Sequence, residues 1–222
     1  MPAVCVAAAL AVLYLVLDPP SADLAAQTYR VDLFDRAGWS VWDNGWYAGH
    51  HLPGYSVLFP PLGSALGLHV VAALSLVGAT AAFTKLAQSW LPKGATAASL
   101  WFATTMAATI VSGRLAFALG AAVATATLAA VAQGSKKGAA AGGALTALAS
   151  PVAALFAALI AAAAAAGVPE PIGKIRPPDA HGEPRVRRRI SAVLAAPDAA
   201  AAATLMVASL ATTGALVELF PE

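Results

Sequence analysis

Two aspartates in the first polar segment of the chain, Asp23 and Asp43, are the leading candidates for chemistry. A carboxylate can take a proton from an attacking hydroxyl group, or it can hold a divalent cation. A dense group of aromatic and basic residues surrounds or follows Asp43, and it forms the second set of candidates: Trp42, Trp46, Tyr47, His50, His51 and Tyr55.

These residue types suit a polar ligand that carries a phosphate. Indole and phenol rings offer flat apolar faces with a polar edge, which can stack on sugar rings. Histidine and arginine bind phosphate oxygens. Arg114, in Ser112-Gly113-Arg114, is a further candidate because we expect it at a short turn on the same side of the chain as the aspartates.

Each candidate also has a structural interpretation that stays open. Asp23 can cap a helix that begins at Leu24, and the tryptophans and tyrosines can be interfacial anchors. Arg114 can extend to lipid headgroups, or it can meet a carboxylate of the first polar segment. Four charged residues at helical spacings are interpreted as a solvated helix face with local ion pairs: Arg30, Asp32, Asp35 and Arg36.

Composition places these residues on a membrane protein. Of the 222 residues, 59% are hydrophobic and 11% are charged, whereas a soluble domain carries about 25% charged residues. The mean hydropathy is +0.74. The net charge of +2 is too small to indicate a nucleic-acid partner. The single cysteine, Cys5, excludes an intrachain disulfide and a cysteine-based zinc site.

Six apolar runs are long enough to be helices within a bilayer: 2–17, 64–83, 95–111, 115–132, 138–167 and 199–217. The fifth run contains Ser150-Pro151, and proline disrupts a helix interior. We therefore predict a helical hairpin with its turn near Ser150; the alternative is one long kinked helix. Two glycine pairs have the GxxxG spacing of close helix packing: Gly63 with Gly67, and Gly138 with Gly142.

The fold class predicted is all-α, a polytopic transmembrane bundle of about seven helices. The whole chain, 1–222, forms one module. Lysines lie in the polar intervals after the second and fourth runs, and Lys and Arg crowd the stretch 168–192. Because cytoplasmic loops are enriched in Lys and Arg, these regions are expected inside, the amino terminus is cytoplasmic, and segment 18–62 is a large extracytoplasmic loop. Three of the five tryptophans and five of the seven aspartates lie in that loop.

The early acidic residue, the helix-like stretch after it and the loop rich in Trp, Asp and Tyr resemble the GT-C superfamily of polytopic glycosyltransferases. The stretch from Trp42 to Ser56 is similar to GT-C-like membrane proteins of high-GC bacteria. The resemblance implies the plasma membrane, a polyprenyl-phosphate-linked sugar as donor, and a carboxylate acting as base or as ligand of a divalent metal. Asp23 matches that position best and Asp43 second. Ser150 lies where relatives place a polar residue near the lipid phosphate.

The chain departs from that pattern in three ways, one of which is that position 150 is Ser where several relatives carry a basic residue. Its first loop lacks a paired acidic motif, and it has no carboxyl-terminal acceptor-binding region, so the chain is expected to correspond to the amino-terminal part of such an enzyme. The alternatives are a transporter or flippase subunit and a non-catalytic scaffold. Because His69 is the one ionisable residue expected near mid-membrane, an ion-coupled transporter is less favoured.

Overall fold

The computed structural model describes residues 2–40, 42–45, 49–51, 55–91, 93–133 and 135–166, together with 204, 207–209, 211–213 and 215. Within these residues the protein is all-helical, as predicted, apart from one short pair of strands. The helices are α1 (Pro2–Leu17), α2 (Leu24–Ala37), α3 (Phe59–Leu66), α4 (Leu68–Trp90), α5 (Ala95–Val111), α6 (Leu115–Ala132), α7 (Lys136–Ala149) and α8 (Pro151–Ala166). The strands are β1 (Trp42–Asp43) and β2 (His50–His51), which pair antiparallel.

Helix α4 lies at the centre of the bundle and packs against α1, α5 and α6. The core between these helices is built largely from alanine, with Ala7, Ala72 and Ala103 fully buried. Small side chains let helix backbones approach closely, which is how helices pack when lipid surrounds them. Larger residues such as Leu76 and Ile110 fill the remaining space.

Two of the described helical segments, Leu68–Ser89 and Leu115–Ala132, are long and apolar enough to cross a membrane. Three shorter apolar helices accompany them: Pro2–Leu17, Ala95–Val111 and Pro151–Ala163. Helix α1 has 16 residues, so at about 1.5 Å per residue it is about 24 Å long, less than the roughly 30 Å of a bilayer core. The expectation of about seven spanning helices is therefore not met by the described residues.

The second apolar run differs from its prediction because Gly67 interrupts it. Gly67 has φ +87°, so it ends α3 and starts α4 instead of continuing one helix over 64–83. His69 consequently lies in the first turn of α4 and not in mid-membrane. Its Nε2 atom is 3.2 Å from Asp18 Oδ1 at the end of α1. Of the two GxxxG pairs, Gly63 and Gly67 thus do not share a helix.

The fifth apolar run is a hairpin, as predicted, and the single kinked helix is wrong. Ser150 between α7 and α8 is extended, with φ −163° and ψ 112°. At the turn, Gly120 of α6 approaches both Ser150 and Ala153. At the opposite end, Val131 of α6 shares a buried cluster with residues of both arms, Ala139 and Ala161. The two arms therefore run antiparallel beside α6.

The second GxxxG pair is a packing site. A Cβ atom on Gly142 would lie 2.2 Å from Thr127 Oγ1 of α6, and one on Gly138 would lie 3.2 Å from the Cβ of Ala130. The last apolar run, 199–217, is described only at isolated helical positions between 204 and 215. The basic stretch 168–192 lies outside the described residues.

Candidate functional site

The turn between α5 and α6 packs against the start of α2. Gly113 has φ +83°, and a Cβ atom there would lie 2.7 Å from the backbone nitrogen of Leu24. Only glycine fits this approach without strain. The next residue, Arg114, thereby reaches α2, where its Nε atom is 3.4 Å from Asp23 Oδ2. The two residues are 91 positions apart in sequence.

Asp23 contacts Arg114 and does not cap α2 with its side chain. Asp23 occupies the N-cap position of α2, but its backbone is helical (φ −73°, ψ −16°) and its side chain accepts no capping hydrogen bond. The helix-cap interpretation is therefore wrong. For Arg114, the structure supports the interpretation in which it meets a carboxylate of the first polar segment. Both side chains remain about half to two-thirds exposed, at 54% for Asp23 and 68% for Arg114.

The break between α7 and α8 holds the end of the first loop in place. Helix α7 ends because Pro151 has no amide hydrogen to continue it, and the last carbonyl groups of the helix are left without helical partners. The loop supplies the donors: Val57 N and Leu58 N bond to Leu148 O at 2.8 and 3.1 Å. Ser56 Oγ donates to Ala149 O at 2.7 Å. We call these three hydrogen bonds the loop clamp. Tyr55 directly precedes it in sequence and is therefore held near the break between α7 and α8.

These contacts enclose a cavity of about 510 Å³ at one end of the bundle. Its walls come from α2, the loop end, the α5–α6 turn, α6 and the start of α8. Four predicted site residues meet there: Asp23, Tyr55, Arg114 and Ser150. The remaining lining residues were not predicted as site residues: Ala26, Gln27, Phe117, Pro151, Val152 and Phe156. For Gln27 a signal existed, since a residue four positions after Asp23 shares its helix face.

Polar and apolar side chains both line the cavity. Asp23, Arg114 and Gln27 are polar, whereas Phe117, Val152 and Phe156 are apolar. Val152 and Phe156 are one helical turn apart on α8 and remain 55% and 56% exposed. Apolar surface on α8 therefore runs from the cavity to the outside of the bundle, and the cavity matches a molecule with a polar head and an apolar tail.

Ser150 lines the cavity but also has a local structural task. It is 5% exposed, and its Oγ accepts a hydrogen bond of 3.3 Å from Ala153 N in the first turn of α8. Since the N-terminus of a helix carries partial positive charge, the start of α8 adds to the attraction that Arg114 provides for an anion.

Next to the polar residues of the cavity, Tyr55 contacts both Gln27 and Arg30. Gln27 Nε2 donates to the phenolic oxygen of Tyr55 at 2.9 Å. The guanidinium carbon of Arg30 lies 3.7 Å from the centre of the Tyr55 ring. Removal from water lowers the pKa of Arg30, and the nearby Tyr55 opposes this effect. The prediction that Arg30 belongs to a solvated face is thus wrong, because Tyr55 covers it. Arg36 does lie on the exposed side of α2.

Asp43 is held away from this cavity by the strand pair. Its Oδ2 atom accepts a hydrogen bond of 2.5 Å from Tyr29 OH, and this bond is the main reason why the pKa of Tyr29 is raised. Asp43 faces His50 across the strand pair, and Trp42 faces His51. Asp43 does not line the cavity. Trp46 and Tyr47 lie outside the described residues.

The described residues do not offer a donor set for a divalent cation. No group of three or more His, Cys, Asp or Glu side chains comes together within the described ranges. Among the described residues that line the cavity, Asp23 is the one carboxylate, and it already faces the positive charge of Arg114. Because divalent cations bind several oxygen ligands together, the residues present do not fit such an ion.

No family model matches this chain, and neither a curated protein nor a solved structure does. The class of protein is therefore defined by fold and site alone: an all-helical bundle with an amphiphilic cavity at one end.

Proposed function

We propose that this chain is a GT-C-like membrane glycosyltransferase, or the amino-terminal module of one, in the bacterial plasma membrane. It would transfer a sugar from a polyprenyl-phosphate donor to an acceptor on the extracytoplasmic face. The observation that carries the proposal is the cavity, which is lined both by the Asp23–Arg114 pair and by the exposed apolar side chains of Val152 and Phe156. A phosphate would bind at the polar residues, and its prenyl chain would leave along α8.

The outer surface of the bundle supports placement in a bilayer. Large apolar side chains are exposed on several helices, including Val16 at 75%, Trp101 at 74% and Leu159 at 66%. Water disfavours such surfaces, whereas lipid accepts them. In this proposal the two longer helices cross the membrane together with the shorter α1, α5 and α7–α8 hairpin, and the bilayer thins around the shorter helices to match their length. Segment 18–62 faces outward with an inward amino terminus.

The proposed reaction uses Asp23 as a general base. An acceptor hydroxyl attacks the anomeric carbon of the donor sugar while Asp23 takes the hydroxyl proton. The bond between the anomeric carbon and the phosphate oxygen breaks, and the electron pair leaves with the polyprenyl phosphate. Arg114 and the amino end of α8 would stabilise the charge on that leaving group.

The Asp23–Arg114 pair is suited to this sequence of events. Exposed ion pairs contribute only about 0–1 kcal/mol, so an incoming phosphate can draw Arg114 away at little cost. Asp23 then loses its cationic neighbour and is available as a base. The roles of Trp42, Asp43 and His50 in binding sugar or phosphate stay predictions.

The experiment compares envelope glycans and glycolipids in a deletion strain of the native host. The strain is rescued with wild type, Asp23→Asn, Arg114→Gln or Asp32→Asn, at matched protein levels in the membrane. Asp32 is an exposed aspartate on the same helix and serves as the matched control. We expect wild type and Asp32→Asn to restore a glycan that the other two do not. Full restoration by Asp23→Asn would refute the proposed chemistry and favour the transporter or scaffold interpretations.

A further inference from the structure

Tyr55 is the exposed member of the cluster that it forms with Gln27 and Arg30 beside the cavity. Gln27 is 1% exposed and Tyr55 is 40% exposed, and both line the cavity. Arg30 lies behind the phenol ring, with its guanidinium carbon 3.7 Å from the ring centre. A ligand in the cavity therefore meets the phenol first, while Gln27 and Arg30 act through it.

The hydrogen bond from Gln27 sets the direction in which the phenol can donate. Gln27 Nε2 is the donor and the phenolic oxygen of Tyr55 is the acceptor, at 2.9 Å. A phenol has one hydrogen to donate as well as lone pairs that accept. With Gln27 Nε2 on one lone pair, the hydrogen of Tyr55 points away from that nitrogen, and no side chain or carbonyl of the described residues accepts it; Gln27 Oε1 is itself buried without a partner.

Arg30 makes the surroundings of this hydrogen favourable for an anion. Its Nη1 atom is buried without a hydrogen-bond partner, and within the described ranges no carboxylate forms an ion pair with it. A cation over an aromatic face is attracted to that ring, and the partial burial of Arg30 strengthens the effect of its charge. Within the cavity, the exposed phenol is the surface through which this charge acts on a ligand; Arg30 also lines a separate small pocket with Trp39 and Ser40.

We infer that Tyr55 donates a hydrogen bond to an anionic phosphate oxygen of the ligand, that Gln27 is the positioning residue that orients the phenol, and that Arg30 supplies positive charge from behind. The inference rests on the proposed function for the phosphate, and it adds an anion contact on the side of the cavity formed by the first loop. Arg114 contacts Asp23 from the α5–α6 turn, so the phosphate would be held from two separate elements.

The test measures equilibrium binding of tritiated farnesyl phosphate to the purified full chain in detergent, with farnesol as the neutral analogue. Tyr55→Phe keeps the ring over Arg30 and removes only the hydroxyl group. Since a hydrogen bond to a charged group is strong, we expect Tyr55→Phe to weaken farnesyl phosphate binding by roughly tenfold or more. Farnesol binding should be the same in Tyr55→Phe and wild type.

Two substitutions of Gln27 separate positioning from packing. Gln27→Glu places a carboxylate that can only accept, so Tyr55 must donate to it and the phosphate loses its donor. Gln27→Leu removes the orienting bond but leaves the hydrogen of Tyr55 free. We expect Gln27→Glu to weaken binding as much as Tyr55→Phe, and Gln27→Leu to weaken it less.

Thermal unfolding of the same variants provides the second readout. The new carboxylate of Gln27→Glu would lie three residues before Arg30 in α2, and opposite charges at this i, i+3 spacing stabilise a helix. Gln27→Glu should therefore unfold at no lower temperature than Gln27→Leu while binding phosphate less tightly. If Gln27 had only a packing role, the loss of binding would follow the loss of stability across the two variants.

Three outcomes decide the matter. Weaker phosphate binding in Tyr55→Phe and Gln27→Glu, with farnesol binding unchanged, is the expected result. Unchanged phosphate affinity in Tyr55→Phe, together with weakened affinity in Arg114→Gln, overturns this inference and leaves the proposed function standing. If wild type binds farnesyl phosphate no more tightly than farnesol, the proposed function and the inference both fall.

Discussion

Replacing Ser56 with alanine tests the clamp that joins the first loop to the helix break. Ser56 Oγ donates to Ala149 O at 2.7 Å and accepts from Phe59 N at 3.1 Å. Ala149 is 0% exposed and Phe59 is 1% exposed, so water cannot replace the lost partners. A buried group left without its hydrogen bond costs about 1–3 kcal/mol. With two such groups, we expect Ser56→Ala to lower the free energy of unfolding by about 3 kcal/mol.

The assay is reversible unfolding in mixed micelles with increasing denaturing detergent, followed by circular dichroism. Ser112→Ala is the matched control, because Ser112 is exposed and its hydroxyl bonds only to Thr109 O in its own helix, at 2.8 Å. Its change should stay within about 0.5 kcal/mol. If Ser56→Ala is as mild as this control, the clamp does not hold the loop end, and the placement of Tyr55 at the cavity loses its physical basis.

Three further predictions concern packing and titration. Gly142→Ala should lower the free energy of unfolding by about 1–3 kcal/mol, because the new Cβ atom meets the β-branched Thr127 at 2.2 to 2.9 Å. The control is Gly78→Ala, which has open space around it and should be neutral or stabilise the protein by up to about 1 kcal/mol. Equal effects at both sites would contradict the close packing of α7 on α6. Gly113→Ala and Gly94→Ala share the strain of a positive φ (+83° and +112°), but only the Cβ atom at position 113 meets backbone atoms. We therefore expect Gly113→Ala to unfold at a clearly lower temperature than Gly94→Ala. Equal unfolding temperatures would show that the α5–α6 turn does not pack closely against α2. The pKa of Tyr29 is raised mainly by its hydrogen bond to Asp43. The stability that this hydrogen bond provides is therefore fully present below the pKa of an unfolded tyrosine, about 10, and is lost as the pH rises through the folded pKa. Asp43→Asn should shift the phenolate absorbance titration of Tyr29, isolated by difference from Tyr29→Phe, toward lower pH; an unshifted titration would mean that the bond does not form.

Part of the site could be predicted from residue types alone. Asp23, Arg114 and Tyr55 were chosen for their chemistry and Ser150 for the resemblance, and all four line one cavity. The pairing of Asp23 with Arg114 across 91 residues depends on the close approach at Gly113, which is a property of packing. Asp43 has the same chemistry as Asp23, yet it lies on the strand pair, where it accepts a hydrogen bond from Tyr29 of α2. Residue type did not distinguish the two aspartates; the path of the backbone did.

The sequence by itself determined the fold class and most helix boundaries. Uniformly apolar runs must be helical in lipid, and the predicted runs 95–111 and 115–132 coincide with α5 and α6. Ser150-Pro151 determined the hairpin turn, because proline cannot continue a helix. Where a single glycine adopts a positive φ, as at Gly67, hydropathy does not register it, and the break between α3 and α4 was not predicted.

Only the tertiary structure decided which faces of these helices are buried and which charged side chains are partly removed from water. Helices such as α1 and α6 are apolar on all sides, so their sequences carry no periodic signal for the buried face. Arg30 has the helical spacing of a solvated residue, but Tyr55, which is 25 positions further along the chain, covers it. Burial depends on such long-range neighbours, which local sequence does not encode. The contact with Tyr55 places Arg30 beside the candidate site, although its spacing in the sequence predicts a solvated position.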